Sequence, residues 1–181
     1  MLPHCRPCVI GRKKDSQVRL YSRPGNDLTY RFPLIVEALA RLRSRSCIID
    51  GEAVACDKNG VASFNLVRYR HHDESIFLYA FDLIELNGDD LRPDPLEGRK
   101  ATLEKMLAKA GPGIRFNGHM EGEGETVFRH ACKLGLEGVV SKRKDSAYRS
   151  GRSPDWLKSK NPAAPAVKRE AEEDWGRQRW R

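Results

Sequence analysis

The sequence predicts an α+β fold in which mostly antiparallel strands are flanked by helices. Short runs rich in β-branched and aromatic residues end in turn-forming residues, as hairpins do. Apolar residues at helical spacing recur in separate stretches between those runs. Apolar residues fill 39% of the 181 positions, enough to give one domain, or one domain with a tail, a real core.

Each element has a local reason. The first twelve residues show no periodicity, whereas Gln17 to Ser22 alternates, with Val18 and Leu20 on one face, and reads as a strand. Arg23-Pro24-Gly25-Asn26-Asp27 breaks it with turn-forming residues. Pro33 opens a helix whose Leu34, Ile35, Ala38, Leu39 and Leu42 follow helical spacing. Cys47-Ile48-Ile49 is a buried-type strand that continues through Asp50-Gly51-Glu52 and Ala53 to Cys56, reaching a turn at Asp57-Lys58-Asn59-Gly60. Residues 64–69 suit a short helix. Residues 75–86 carry the strongest strand signal, which Asn87-Gly88 ends. A helix over 96–110 sets Leu103, Met106 and Leu107 along one stripe and stops at Gly111-Pro112. Ile114 to Phe116 is a brief strand, and a helix over 123–134 follows, with Gly135 as its C-cap. Two strands around 137–143 and 156–160 flank the polar loop 144–154. Beyond Asn161, Pro162-Ala163-Ala164-Pro165 reads as a linker and 168–181 as a charged mobile tail.

Charge narrows the function. A net charge of +8 and a pI near 9.4 favour an anionic partner, nucleic acid first, although a ribosomal or membrane surface fits the same sign. No apolar run approaches the roughly 18 residues that span a bilayer. The start, Met1-Leu2-Pro3-His4-Cys5-Arg6, lacks the apolar centre of a secretory signal. Five cysteines, an odd number, do not form a disulfide framework, so a reducing cytoplasm is expected. His4-Cys5-x-x-Cys8 has no second ligand pair, which argues against zinc.

Four motifs stand in order: Ser22-Arg23-x-Gly25-Asn26-Asp27, Asp50-Gly51-Glu52, Tyr79-Ala80-Phe81-Asp82, and Glu137-Gly138-Val139-Val140-Ser141-Lys142-Arg143 with Trp156-Leu157-Lys158-Ser159-Lys160-Asn161. On a strand, Lys158 and Lys160 aim two ammonium groups at one place, which suits an anionic phosphate. A solvated basic strand explains the same two residues, just as core packing explains Phe81 and a helix-exit charge explains Glu137.

Together these strings resemble the nucleotidyltransferase (adenylation) domain of ATP-dependent DNA ligases, especially the bacterial non-homologous end-joining type. The resemblance covers residues 12–161, with 1–11 as an atypical segment in place of the nucleophile motif and 162–181 as a charged flexible tail. Leu86-Asn87-Gly88, Asp90-Leu91-Arg92 and Pro95-Leu96-x-x-Arg99 resemble the same subgroup. It implies an ATP-grasp-like domain, and the family's C-terminal OB-fold domain is expected to be missing, because residues 162–181 are too short for an OB barrel. It implies ATP and Mg2+ (or Mn2+) as cofactors and nicked or broken double-stranded DNA as substrate. It further implies end-joining repair proteins as partners, a monomer, no membrane, and a place in the bacterial cytosol or nucleoid. Residue by residue, it assigns Arg23 to the nucleotide and reacting phosphate, Glu52 to the ribose or metal support, and Phe81 to stacking on adenine. Glu137 takes the divalent metal, and Lys158 and Lys160 grip the α-phosphate. Phosphoryl transfer needs such charge neutralisation and in-line positioning.

The sequence departs from that family at its nucleophile, the lysine of Lys-x-Asp-Gly. Counted back from Arg23 without gaps, that position falls on Pro3, which has no nucleophilic side chain. The nearest string, Lys13-Lys14-Asp15-Ser16, suits a hairpin turn instead. The expectation is therefore an N-terminally truncated ligase domain, unable to self-adenylate, that retains the parts for joining an adenylated nick. The alternatives are a non-catalytic nucleotide- or DNA-binding module and an inactive ligase fragment. The Cys-, Pro- and Arg-rich start fits a shifted reading frame or a wrong start site.

Overall fold

The central sheet is built outward from a two-residue hairpin. β1 (Cys8–Lys14) and β2 (Gln17–Ser22) pair antiparallel from Lys14↔Gln17 to Val9↔Ser22, around a turn in which Asp15 has φ 53. The computed structural model describes residues 8–56, 62, 66–67, 75–151, 153–164 and 167–168. β1 begins at Cys8, inside the stretch that lacks sequence periodicity. It lies between β2 and β3 (Ser46–Val54), so it is an inner strand. Its Lys13 is the reason the alternation is hard to see. That lysine is 4% exposed and points into the core side, where its Nζ donates to the carbonyls of Ala40 (3.0 Å) and Leu42.

Those carbonyls close α1 (Pro33–Ala40), so Lys13 supplies a cation to groups a helix terminus leaves without intrahelical partners. Pro33 stands in the first turn as expected, and Ile35, Ala38 and Leu39 form the buried face. The sheet continues with β4 (Phe77–Leu86) and the short β5 (Asp89–Asp90), giving the order β2-β1-β3-β4-β5. β6 (Ile114–Phe116) pairs with β4 in parallel. Asn87 (φ 56) and Gly88 (φ 101) form the β4–β5 turn that the sequence announces.

One face of this sheet packs into a core with α1 and with α2 (Leu96–Leu107), through Val9, Leu20, Leu39, Ile49, Leu78, Leu83 and Leu103. α2 ends at Leu107, short of residue 110, and Ala110 closes a turn on the Leu107 carbonyl. Within that core lies a charged pair. Arg99 Nε and Nη2 donate to Asp82 Oδ1 and Oδ2 at 2.8 and 3.1 Å, with both side chains 0% exposed. Arg99 Nη1 donates to the Asp94 carbonyl, and Asp82 Oδ1 also accepts the Leu83 amide at 2.9 Å. A bidentate pair with its remaining groups bonded offsets its own desolvation, and removing one partner does not.

Contact between elements divides the chain into two units, Met1–Gly118 and His119–Arg181. The second holds α3 (Gly124–Lys133) and a ribbon of β7 (Gly138–Lys142) and β8 (Trp156–Lys160). α3 ends where the Gly135 amide bonds to the Cys132 carbonyl and Leu136 to Ala131, the C-cap expected of Gly135. In the stretch read as a linker, Pro162 and Ala163 are exposed and Ala164 is buried. Ala164 is 2% exposed, because Asn161 bonds to the amides of Ala163 and Ala164 and turns the chain inward. Of the helix expected at 64–69 only Leu66 and Val67 lie among the described residues, where they are helical, and the tail from 169 onward lies outside them. No helix among the described residues is long and apolar enough to cross a membrane.

Replacing Arg99 by Met is expected to cost about 3–5 kcal/mol in denaturant unfolding, since it strands a buried carboxylate. The double change Asp82→Leu/Arg99→Met should recover most of that loss. A single variant as stable as wild type would show that the pair is not the internal tie described here.

Candidate functional site

In the first unit the predicted residues gather at one end of the sheet. Cys8 on β1 faces Glu52 on β3, and Glu52 faces Tyr79 on β4. Ser22 pairs with Val9, one step from Cys8, so Arg23 leaves β2 at the same end. Its turn is held by the Gly25 amide on the Ser22 carbonyl (2.8 Å), the Asn26 amide on the Ser22 hydroxyl (3.0 Å) and the Thr29 amide on Asp27 Oδ1 (2.8 Å). The hydrogen bond from Thr29 holds the Asp27 carboxyl below its ordinary pKa.

Phe81 owes its position to an irregularity. The β3–β4 register runs Asp50↔Asp82 and then Gly51↔Ala80, so Phe81 is an extra residue on β4 and marks a bulge. Gly51 stands at this point because a Cβ there would lie 2.7 Å from both Leu78 Cδ1 and the Tyr79 carbonyl oxygen. Two residues along β4, Tyr79 is braced edge-on by Phe77 at 5.0 Å, and the Arg115 guanidinium sits 4.2 Å from the Phe77 ring centre. Glu52 and Phe81 are both partly exposed.

In the second unit β7 and β8 pair with Gly138↔Lys160, Val140↔Lys158 and Lys142↔Trp156. Residues directly opposite share a face, so Lys158 and Lys160 lie on one face with Gly138, Val140, Lys142 and Trp156, as the Lys-x-Lys spacing predicts. Both lysines are exposed, and Lys158 has no polar partner among the described residues. The Lys142 ammonium sits 3.9 Å from the Trp156 ring centre, and Tyr148 meets that indole edge-on at 6.3 Å. Cations of the neighbouring loop are paired with acids instead. Arg143 is bonded to Asp145, which raises its pKa, and the Lys144 ammonium lies 2.7 Å from Glu121, whose pKa it lowers.

Glu137 directly precedes β7, and the Asn161 amide donates to its carbonyl at 2.8 Å. The Asn161 side chain, 3% exposed, donates to the Leu136 carbonyl at 2.9 Å. Asn161 therefore fastens Glu137 to the Lys160 end of the ribbon. This positioning role is invisible in composition, and its signal was only its place in the Trp156–Asn161 string. Gly138 is not a turn glycine, as its type suggests, but the first residue of β7. It has φ +151, and a Cβ would lie 2.1 Å from the Ser159 carbonyl oxygen. Arg23, Glu52 and Phe81 thus belong to the first unit, and Glu137, Lys158 and Lys160 to the second. Among the described residues no group of three or more His, Cys, Asp or Glu side chains could hold a metal alone.

Sheet, ribbon and motif placement define a ligase-type nucleotidyltransferase fold, and comparison with known proteins agrees. The ATP dependent DNA ligase domain family matches residues 6–160, so the chain belongs to that family. It is 40% identical over 156 residues to the multifunctional non-homologous end joining protein LigD of Pseudomonas aeruginosa, covering 84% of this chain and 19% of that one. The LigD of Mycolicibacterium smegmatis is 34% identical, over 84% of this chain and 20% of its own. Among solved structures, the ligase domain of M. tuberculosis LigD superposes with a TM-score of 0.75 at 33% identity, over 86% of this chain and 51% of that one. A mycobacterial DNA ligase D complexed with ATP and MES gives 0.74 at 33% identity, with the same coverage. The chain therefore spans about a fifth of these LigD proteins.

Replacing Gly138 by Ala is expected to open the ribbon, accelerating amide hydrogen exchange in β8 by about tenfold or more. Unchanged exchange there would contradict the close backbone approach.

Proposed function

We propose that this chain is the nucleotide- and phosphate-handling part of an ATP-dependent DNA ligase of the end-joining type, competent to seal an adenylated nick but not to adenylate itself. The observation that carries the reading is the ribbon, with Lys158 and Lys160 on one face and Glu137 fastened at its end, in a chain of the ligase family. Lys158 and Lys160 neutralise the phosphate that binds there, which stabilises the charge developing in phosphoryl transfer. Phe81 offers a ring for a base and Glu52 an acceptor for ribose hydroxyls, while Arg23 supports the reacting phosphate.

Glu137 is the residue to hold a divalent cation. Magnesium is commonly held by one or two carboxylates plus substrate phosphates, so a single protein carboxylate fits it. When bound, the ion supplies charge neutralisation at the phosphates. In the sealing step a DNA 3′-hydroxyl oxygen bonds to the 5′-phosphorus, the bond from that phosphorus to the AMP oxygen breaks, and the hydroxyl proton passes to water.

In this reading self-adenylation lacks its nucleophile, since the sequence holds no Lys-x-Asp-Gly string. Lys13, in the string nearest to the family motif, is buried against the end of α1 with its Nζ engaged by two carbonyls, and the hairpin register leaves it there. The same point favours a second reading, a nucleotide- or DNA-binding module without chemistry.

Incubation with α-labelled ATP and magnesium should yield no labelled protein, whereas a pre-adenylated nicked duplex should be sealed. Lys158→Ala should slow sealing by about a hundredfold. A labelled band contradicts the missing first step, and nucleotide and DNA binding without sealing selects the second reading.

A further inference from the structure

The face of the main sheet turned away from the helices carries an arrangement that the candidate site does not use. On β1 and β2, Gly11, Lys13, Val18 and Leu20 are buried, and Arg12, Lys14, Gln17 and Arg19 point the other way and are exposed. The register sets Arg12 directly opposite Arg19, with Lys14 opposite Gln17 in the next row. Like charges facing each other across two strands destabilise the pair. Partial relief comes from Asp27, whose Oδ2 lies 3.4 Å from Arg19 Nη1, but that ion pair is itself about half exposed, at 53% and 43%. Across the other ladder, Arg12 faces Ile48 and Lys14 faces Ser46, neither of them acidic. Among the described residues Arg12 and Lys14 have no ion-pair or hydrogen-bond partner.

A charge on an edge strand often serves only to discourage pairing with another sheet. That accounts for Arg19, because β2 is the outer strand, but not for Arg12, which lies on the inner strand β1. Residues two apart on a strand are about 7 Å apart, and facing residues are about 5 Å apart. Three cations are thus held on a stiff two-stranded carrier within a small area, at a cost in repulsion that a polyanion would relieve.

We infer that Arg12, Lys14 and Arg19 form a docking face for the phosphodiester backbone of duplex DNA, which rests on the ligase reading given above. Such contacts fix position without reading sequence, and the overall charge of +8 has the matching sign. The face belongs to β1 and β2 at the hairpin end, beside the Asp15 turn, whereas Glu52 and Arg23 lie at the other end of these strands.

The experiment is fluorescence anisotropy of the full chain with a labelled nicked duplex over a range of salt. The Arg12→Gln/Lys14→Gln variant should bind about tenfold more weakly near physiological salt, and the log–log salt slope should fall in magnitude by about 1.8, or about 0.9 for each lost contact. Its melting temperature should hold or rise, because one half of a repulsive pair is gone. The charge-preserving Arg12→Lys/Arg19→Lys variant should bind like wild type. Unchanged affinity and slope would overturn the proposal, as would a drop in melting temperature that accompanies the loss of binding. Tighter binding of a duplex RNA with the same charge dependence would overturn the DNA assignment. ATP binding, measured separately, keeps the two proposals apart. A wild type that docks DNA through this face yet binds no ATP would defeat the ligase reading and leave the docking face standing.

Discussion

The β3–β4 pairing is the constraint on which the first unit depends. Gly51 has no room for a side chain, since a Cβ would meet both Leu78 and the Tyr79 carbonyl. Because the strands press together there, β4 accommodates Phe81 as an extra residue, and a second register shift follows between Ile48 and Ile49. The bulge lies between Tyr79, which faces Glu52, and Asp82, which turns into the core to meet Arg99. One local close approach therefore sets three things: the place of the Phe81 ring, the position of Glu52 opposite Tyr79, and the buried anchor that ties the strand to α2. A regular ladder would not give this, because strict alternation sends neighbouring residues to opposite faces.

The second unit solves a similar problem with less material. A two-stranded ribbon is only marginally stable by itself. Here Gly138 lets the two backbones approach, the Lys142–Trp156 contact supports the far end, and Asn161 locks the near end by bonding to Leu136 and Glu137. The lysine pair is thus presented on backbone that is restrained at both ends, which favours preorganised electrostatics over a mobile basic segment.

Much of this was legible in the sequence, and for identifiable reasons. Val18 and Leu20 disclosed β2 by alternation, Asn87-Gly88 fixed a turn because few other pairs tolerate its backbone, and Lys158 with Lys160 announced their shared face by spacing alone. β1 was not legible, because a glycine and a buried lysine, Gly11 and Lys13, occupy core positions where apolar residues would mark a strand. Asp82 and Arg99 were visible only as parts of family-like strings, since a carboxylate and a guanidinium seventeen positions apart carry no local sign of pairing. Asn161 was hidden for the same reason: its work is done through backbone carbonyls of the segment just before β7. Sequence patterns report periodicity and turns well, and long-range polar ties poorly.

We propose that the Glu52 end of the sheet takes the base and ribose of a nucleotide and that the lysine face of the ribbon takes a phosphate. A titration of isotopically labelled protein with AMP and then ATP, followed by amide and side-chain NMR shifts, tests it most directly. Saturable shifts are expected at Glu52, Phe81, Lys158 and Lys160, with little change around the Asp15 hairpin turn. Shifts confined to other surfaces, or none at saturating nucleotide, would contradict it.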